Sequence, residues 1–417
     1  MSHRALPSTA LPVSPESEAN AFPGEQAAAA ATPVARTKRW LALDLLRFLA
    51  VILMVQGHVF YEVIADSVRA QGWYGWHGYV HGFTAPIFLF SSGMAFGITT
   101  LGKWDAHTHW GPVVAKRMER YVILIGIGYL LHVGVLKLSW VLGLSPDRAA
   151  RVARVDALQH IGFTLMVAEG LVMLLRRKRL YLGVIAALFG AAVLVAPWIY
   201  DRELAGWPVG VVAWLNASTG SLFPLVPWCG FLLGGVLVAR FVRDRRADHA
   251  PGPMQLALPL LAVGALLIAL GKGLQLSGWD PFPEHNYWKA SPFFFVFRFG
   301  VVLTVLAALC GVELLLQRRE GPPGRTLRFV QTVGSETLVI YVAHLILLYG
   351  LGVIPGLKGL FERELLLGGG VALVLAVMVA MGALAWVWHQ VKRRWPTWFD
   401  RGRYLATALI VVAFLLR

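Results

Sequence analysis

Charged residues and cysteines are scarce in this sequence. Asp, Glu, Lys and Arg make up only 15% of its 417 residues, which argues against an ordinary soluble domain. The two cysteines, Cys229 and Cys310, both fall inside hydrophobic segments, so neither a disulfide framework nor a thiolate metal site is expected. The sequence also lacks a phosphate-binding G-x-x-x-x-G-K-[ST] loop and a dinucleotide fingerprint, and nothing therefore indicates nucleotide hydrolysis.

Long hydrophobic runs are what the sequence has instead. Hydrophobic residues account for 57% of the chain, a proportion typical of a polytopic membrane protein. The net charge of +15 would suit nucleic-acid binding in a soluble protein, but here the basic residues stand in short loops between apolar runs. Membrane topology explains that distribution, and no nucleic-acid partner is expected.

The apolar runs predict an all-α fold, a polytopic bundle of about eleven transmembrane helices at ~20 apolar residues per span. The predicted spans are 40–62, 79–100, 118–137, 156–175, 180–199, 221–241, 254–275, 292–316, 330–351, 366–389 and 404–417. Residues 1–35 are rich in Ala, Pro and Ser, which predicts a disordered cytosolic tail before a membrane domain at 36–417. The first span is long enough to stay in the membrane, so we expect an uncleaved anchor rather than a signal peptide.

Basic clusters precede the first predicted span and follow every even-numbered one. They consist of Arg36, Lys38, Arg39, Lys116, Arg117, Arg120, Arg176, Arg177, Lys178, Arg179, Arg243, Arg245, Arg246, Arg318, Arg319, Lys392, Arg393 and Arg394. Because short cytosolic loops are enriched in Lys and Arg, this pattern predicts a cytosolic N-terminus and an outward-facing C-terminus.

Three ionisable residues lie on one stripe of the first span. Arg47 and His58 are eleven positions apart, so on an α-helix they fall within about 20° of each other. Asp44 precedes Arg47 by three positions and lies close enough to pair with it. A charge at bilayer depth costs about 2.5 kcal/mol or more, and such residues normally face a protein interior or a wet cavity. The stripe indicates a functional site, and a purely structural Asp44–Arg47 ion pair is the alternative.

Further polar residues converge on the outer ends of the predicted helices. They are His77 and His81 at the second span, Asp156, Gln159 and His160 at the fourth, Glu284 and His285 in an outer loop, and His344 in the ninth. His77 and His81 have the spacing of a metal pair, but no third ligand follows at a fixed spacing, so no metal is expected. We interpret His344 as a hydrogen-bonded packing residue, and His107 and His109 as solvated residues of an inner loop.

Imidazole and guanidinium groups in this arrangement suit group transfer. A neutral imidazole, whose ordinary pKa is about 6.5, can take a proton from an attacking hydroxyl or amine, or can carry an acyl group as a nucleophile. Arg47, Arg117 and Arg120 at the inner mouth can hold the phosphates of an anionic cofactor. Intramembrane Asp, Arg and His also serve proton relays, so a proton-coupled transporter or flippase is the rival hypothesis.

Six segments resemble one family of membrane enzymes. LDLLRFLAVILMVQGH resembles the opening helix of the acyltransferases related to heparan-alpha-glucosaminide N-acetyltransferase, and its Arg47-to-His58 spacing is also the signature of the acyltransferase-3 family. YVHGFTAPIFLFSSGMAFG is similar to the second-helix motif of the bacterial members, and GSETLVIYVAHL to a late helix ending in Tyr and His. The other three are VDALQHIGFTLMV, SLFPLVPWCGFLLGG and WKASPFFFVFRFG, and the six follow one another in chain order.

The resemblance implies a multi-pass enzyme of a bacterial inner membrane. Such an enzyme transfers an acetyl group from cytosolic acetyl-CoA to a sugar hydroxyl or amine, on a glycan or glycolipid, at the outer face. The family's catalytic His lies at the outer end of the first helix pair, which here is His58, His77 or His81. We expect His58 to act as base or acyl acceptor, with His81 as the next candidate.

The remaining expectations concern supporting residues and partners. Arg47, paired with Asp44, is expected to organise the inner helix face and to contact the cofactor. The residues expected to orient the acceptor are His77, Asp156, Gln159, His160 and His285. Acetyl-CoA, the acceptor and membrane lipid are the expected partners, and a homodimer is left open.

Overall fold

The computed structural model describes residues 40–133, 143, 145–247, 253–318, 324–351, 354–398, 401–402 and 404–405. Eight helical segments in this part of the chain are long and apolar enough to cross a membrane, and a bent helix pair is a ninth candidate. The predicted all-α membrane bundle is confirmed, while the count of eleven spans and the cytosolic N-terminus stay predictions. The predicted tail at 1–35 and most of the predicted span 404–417 lie outside the described residues.

Seventeen helices and one short strand pair make up the described part of the chain. In chain order the helices are α1 (Leu41–Val63), α2 (Asp66–Arg69), α3 (Gly72–His81), α4 (Thr84–Gly102), α5 (Pro112–Val133), α6 (Pro146–Ala153), α7 (Ala157–Leu175), α8 (Lys178–Ile199), α9 (Val209–Leu215), α10 (Leu225–Ala247), α11 (Pro253–Leu276), α12 (Tyr287–Ala290), α13 (Pro292–Gln317), α14 (Arg325–Ser335), α15 (Thr337–Tyr349), α16 (Leu357–Phe361) and α17 (Leu367–Arg394). A 3₁₀ turn covers Trp104–His107, and β1 (Gly350–Leu351) pairs antiparallel with β2 (Ile354–Pro355).

The first helix, α1, runs through the middle of the bundle. It packs against α4, α13, α14, α15 and α17. Its buried residues Val51, Val55 and Val59 share one apolar core with Ile340 of α15 and Val377 of α17. Because several helices surround α1, its polar side chains have protein rather than lipid as neighbours, which lowers the cost of placing them at this depth.

Glycines bring two helix pairs into close contact. A Cβ atom on Gly93 of α4 would lie 1.9 Å from the Leu232 carbonyl oxygen of α10. A Cβ atom on Gly300 of α13 would lie 2.7 Å from the Gly264 carbonyl oxygen of α11. No side chain fits at either position, so the close packing of α4 on α10 and of α11 on α13 depends on these glycines.

The second predicted span is interrupted near its start. The sequence predicts one helix from residue 79, whereas helical structure begins at Gly72 with α3, turns at Gly82 and Phe83, and resumes with α4. The predicted start is therefore wrong. The turn leaves His81 at the C-terminal end of α3, where its imidazole hydrogen-bonds to the backbone of α1.

The ninth predicted span, 330–351, is also two helices. α14 and α15 meet at Glu336 with a bend of 74°. The backbone of Glu336 is not helical (φ −102°, ψ 29°), and its carboxylate accepts hydrogen bonds from Lys392 Nζ at 2.9 Å and His389 Nδ1 at 3.1 Å, both in α17. The prediction of one continuous helix is wrong because this buried carboxylate is held by α17. α15 then runs beside α1 and carries His344.

Candidate active site

A cavity of about 640 Å³ opens where the helices end, on the side away from the described residues of the basic clusters. The end of α1, the α3–α4 turn, the end of α5, the start of α7, the α12–α13 region and the end of α15 all contribute to its wall. Its polar lining residues are His58, His81, Thr84, His132, Asp156, Lys289, Arg298, Tyr341 and Tyr349. Apolar and aromatic residues fill the spaces between them, among them Met54, Phe88, Leu131, Phe223, Trp228 and Trp288. We call this space the histidine cavity.

His58 is held in one protonation pattern by a hydrogen-bond relay. His344 Nδ1 lies 2.9 Å from the Ile340 carbonyl oxygen. Because a carbonyl only accepts, this nitrogen carries the proton, and Nε2 of a neutral His344 is left as an acceptor. His58 Nδ1 donates to that Nε2 at 3.0 Å. The lone pair of a neutral His58 is therefore on its Nε2, and His58 lines the cavity.

His81 is held in a similar way by the backbone of α1. Its Nδ1 donates to the Leu53 carbonyl oxygen at 3.1 Å and lies 3.3 Å from Thr84 Oγ1. The His58 and His81 rings are 5.6 Å apart between centroids, at an interplanar angle of 75°. A neutral His81 also keeps its lone pair on Nε2, so two imidazoles next to each other in the cavity wall can accept a proton.

Gly57 leaves the room that His81 occupies. A Cβ atom at Gly57 would lie only 1.9 Å from His81 Nδ1, a separation that no side chain can have. The glycine immediately before His58 in α1 thus allows the imidazole from the α3–α4 turn to reach the backbone of α1. In the sequence VQGHV, the glycine that makes room for His81 thus stands directly before His58.

His132 and Asp156 form a second polar pair in the cavity wall. His132 Nε2 lies 2.7 Å from Asp156 Oδ2. Asp156 is also the N-cap of α7, where its backbone N–H donates to Gln159 Oε1 at 3.3 Å, the reciprocal half of a capping box. Gln159 is fully buried, and its side chain completes the N-terminal cap of α7. The sequence shows His132 as a polar residue in the predicted third span. It does not show that Asp156, 24 positions later, is its partner.

Lys289 and Arg298 are cations of the cavity wall that the sequence analysis did not select. In the sequence, Arg298 is a charged residue inside a predicted apolar span, and this is the feature that could have identified it. Tyr341 and Tyr349 of α15 were likewise missed. The Tyr349 hydroxyl donates to Glu62 Oε1 at 3.0 Å. Each of these residues reaches the cavity through contacts between helices that are far apart in sequence.

Several predicted site residues lie outside the cavity lining. His77 hydrogen-bonds to the Gln56 side chain and packs against aromatic rings. His160 is fully buried, and its Nδ1 donates to the Phe223 carbonyl oxygen at 3.0 Å. His285 Nδ1 donates to a loop carbonyl oxygen two residues earlier, at 2.7 Å. The structure therefore gives these three histidines local partners, and their role with an acceptor stays a prediction.

Asp44 and Arg47 lie at the other end of α1. Asp44 is buried, and a Cβ atom on Gly334 of α14 would lie 2.6 Å from its carbonyl oxygen, so α14 packs closely on this turn. Arg47 is half-buried. Arg47 and His58 are eleven positions apart in the helix, about 16 Å along the axis. The predicted Asp44–Arg47 pairing and their catalytic role stay predictions.

A closed polar cluster lies at that basic end of the bundle. The fully buried Glu169 accepts hydrogen bonds from His107 Nδ1 at 2.6 Å and Arg117 Nη1 at 3.0 Å. Arg117 also donates to Thr99 and Thr100. We call these residues the Glu169 cluster. The interpretation of His107 as solvated is wrong, because a buried carboxylate from α7 holds it.

The remaining inner-loop residues differ from the Glu169 cluster in exposure. His109 is exposed, as expected. Of the two arginines of α5 predicted to hold cofactor phosphates, Arg120 is exposed, whereas the guanidinium of Arg117 already serves Glu169. Among the residues that the structure describes, no group of three His, Cys, Asp or Glu side chains is arranged to hold a metal ion.

Comparison with known families adds an identity to this geometry. The family model described as heparan-alpha-glucosaminide N-acetyltransferase, catalytic, matches residues 39–272, more than half of the chain. Comparison with curated proteins gave no match. His58 and His81 lie inside the matched residues, while Arg298 and His344 lie beyond them. The predicted family is confirmed, whereas the relation to the acyltransferase-3 family stays a prediction. The chain belongs to the heparan-alpha-glucosaminide N-acetyltransferase catalytic-domain family, a family of membrane acetyltransferases.

Proposed function

We propose that this family member transfers an acetyl group from acetyl-CoA to a hydroxyl or amine of a sugar bound in the histidine cavity. The observation that carries the proposal is the relay from Ile340 through His344 to His58, which leaves a proton-accepting Nε2 in the wall of a cavity large enough for a sugar ring. A base with that orientation is what acyl transfer to a hydroxyl requires.

The chemistry follows from the protonation pattern of the two imidazoles. His58 Nε2 takes the proton of the acceptor hydroxyl or amine as its oxygen or nitrogen bonds to the acetyl carbonyl carbon. The carbon–sulfur bond then breaks, and coenzyme A leaves as a thiol after its sulfur takes this proton back from the His58 imidazolium. The His58 imidazolium keeps its Nδ1 hydrogen bond to His344, which stabilises the added charge.

His81 is the second candidate for direct chemistry. Its Nε2 also carries a lone pair, and its ring centroid lies 5.6 Å from that of His58. Two such imidazoles can divide the work, one as base for the acceptor and the other as acid for the leaving thiol. Alternatively, one of them accepts the acetyl group and forms an acyl-enzyme. In both versions the sugar acceptor occupies the same cavity.

The basic clusters support one direction of transfer. Their described members lie at one end of the bundle, so by the positive-inside rule we take that end to face the cytosol and the histidine cavity to face outward. In a bacterial inner membrane, acetyl-CoA then approaches from the side of Arg47 and Arg120, and the acetylated glycan or glycolipid leaves on the other. Asp156 and His132 orient the acceptor, since both lie in the cavity wall.

Thermal unfolding with acetyl-CoA tests the proposal against transport. A ligand that binds only the folded protein stabilises it by about 2.7 kcal/mol at a hundred times its Kd. We expect acetyl-CoA, but not acetate at the same concentration, to raise the Tm of the purified full-length chain. The absence of any shift at saturating acetyl-CoA would contradict the acetyltransferase proposal and favour the transporter or flippase.

A further inference from the structure

Arg298 places a positive charge in the cavity wall, and no carboxylate of the described residues balances it. It lies in the second turn of α13, and its guanidinium carbon lies 4.2 Å from the centroid of the Phe294 ring. Within the described part of the chain, no ion pair or hydrogen bond engages its side chain, and its Nε is buried without a partner. A Cβ atom on Gly82, next to His81, would lie 3.3 Å from Arg298 Nη2, which places the guanidinium beside the histidines.

The other charged groups of the cavity do not neutralise Arg298. Asp156 is the acidic residue of the described lining, and its carboxylate holds His132 at 2.7 Å. Lys289, in α12, adds a second cation to the wall and is exposed. Three histidines and two tyrosines complete the titratable lining among the described residues, and none of them is a carboxylate. Among the described lining residues, cationic side chains thus outnumber carboxylates.

An unbalanced guanidinium at this position is costly unless a ligand supplies the anion. Charged residues within membrane spans are rare and normally mark a pathway or a binding site. A guanidinium binds carboxylates and phosphates through two parallel hydrogen bonds, and it is more easily desolvated than an ammonium group. The cation–π contact with Phe294 fixes its plane but supplies no negative charge.

We propose that Arg298 and Lys289 form an anion subsite, which binds a phosphate or carboxylate group carried by the acceptor sugar. This assignment rests on the proposed function for the identity of the acceptor, although the subsite itself requires only an anionic ligand. It places the anionic group beside His81, so the enzyme selects acidic or phosphorylated sugars over neutral ones. The acceptor's reacting hydroxyl or amine then faces His58.

Ligand-induced thermal shifts of the purified full-length chain test the subsite. The probes are glucose 6-phosphate, glucuronate and inorganic phosphate, with glucose as the neutral reference. We expect at least one anionic sugar to bind the wild-type protein at least tenfold more tightly than glucose. Arg298→Gln should abolish this preference, and Lys289→Gln should reduce it. If no anionic probe binds better than glucose, or if Arg298→Gln retains the preference, the proposal is overturned.

Two further variants separate the subsite from general charge and folding effects. Lys272→Gln removes one positive charge from an exposed lysine of α11 that lies outside the cavity lining, and it should leave the preference unchanged. Arg298→Lys retains the charge but loses the guanidinium fork, and should give an intermediate affinity. If Arg298→Gln does not fold, Arg298→Lys and Lys289→Gln decide, because unchanged anion preference in both would overturn the subsite.

Two control ligands test whether the subsite instead binds another phosphate-bearing molecule, either the acetyl donor or a membrane lipid. Acetyl-CoA should raise the Tm of Arg298→Gln and wild type equally; a shift lost only in Arg298→Gln would assign the subsite to the donor and overturn the proposal. Phosphatidylglycerol nanodiscs, compared with phosphatidylcholine, should affect both proteins equally, and selective stabilisation of wild type would assign it to a lipid headgroup. Anion preference without an acetyl-CoA shift would leave the subsite standing and contradict only the proposed function.

Discussion

The histidine cavity and the Glu169 cluster lie at opposite ends of one bundle and contain the same kinds of side chain. Asp156 caps the start of α7, and Glu169 lies thirteen residues later in that helix, about 20 Å along its axis. In the Glu169 cluster both carboxylate oxygens have a cationic or imidazole partner. In the cavity, His58 and His81 each retain a lone pair on Nε2, and Arg298 lacks a carboxylate among the described residues.

The difference shows how a structural polar cluster can be distinguished from a chemical one. Buried polar groups stabilise a fold when every donor and acceptor is satisfied. Groups left with unused acceptors or unbalanced charge beside a cavity are available to a ligand. We therefore assign stability to the Glu169 cluster and chemistry to the histidine cavity. The following substitutions separate the two roles.

Replacement of His58 by Ala is expected to have the largest effect. The loss of a general base lowers kcat by about 10²- to 10⁴-fold, measured as labelled acetyl transferred from acetyl-CoA to a membrane extract. His109→Ala, which removes an exposed imidazole, is the matched control and should retain the wild-type rate. Full activity in His58→Ala together with a loss in His81→Ala would move the base to His81.

Glu169→Gln is expected to lower stability rather than catalysis. Breaking a buried ion pair by removal of one partner costs about 3–5 kcal/mol, and here both His107 and Arg117 lose the charged acceptor. Thermal unfolding in detergent should show a clearly lower Tm, with an unchanged transfer rate per folded molecule. Glu284→Gln, at an exposed loop carboxylate, serves as control. An unchanged Tm in Glu169→Gln would contradict the structural role.

Gly57→Ala tests the position of His81. The new methyl group overlaps the imidazole, which must leave the Leu53 carbonyl oxygen. A displacement of about 1 Å at a reacting group can cost 10²-fold, so we expect kcat to fall by roughly ten- to a hundredfold. Gly183→Ala in α8, where a Cβ atom meets nothing within 4 Å, is the matched helix control. Equal rates in the two variants would show that the His81 position is unimportant.

Substitution of His344 is expected to have the smallest effect of this set. His344→Phe removes the acceptor for His58 Nδ1, and the loss of one hydrogen bond corresponds to about a tenfold lower kcat. His344→Gln keeps an acceptor oxygen and should retain more activity than His344→Phe. The order of the two rates is the test. If His344 only filled space, His344→Phe would be faster than His344→Gln.

Helical periodicity predicted the apolar spans and placed His58 at the outer end of the first span, where it lines the cavity. The family came from the resemblance of six segments in chain order. The relay between His58 and His344 joins residues 286 positions apart, and helical periodicity gives no information on such pairs. For the same reason the sequence does not show that His344 is the hydrogen-bond partner of His58. Arg298 was visible as a charge in an apolar span, but only the fold places it beside His81.

The most direct test compares His58→Ala with Glu169→Gln in one assay. Labelled acetyl transfer and Tm are measured on the same preparations, and the rate is expressed per folded molecule. The account predicts that His58→Ala loses at least about a hundredfold in rate at a nearly unchanged Tm, whereas Glu169→Gln keeps the wild-type rate at a lowered Tm. Wild-type transfer by folded His58→Ala and His81→Ala proteins would contradict the assignment of chemistry to the histidine cavity.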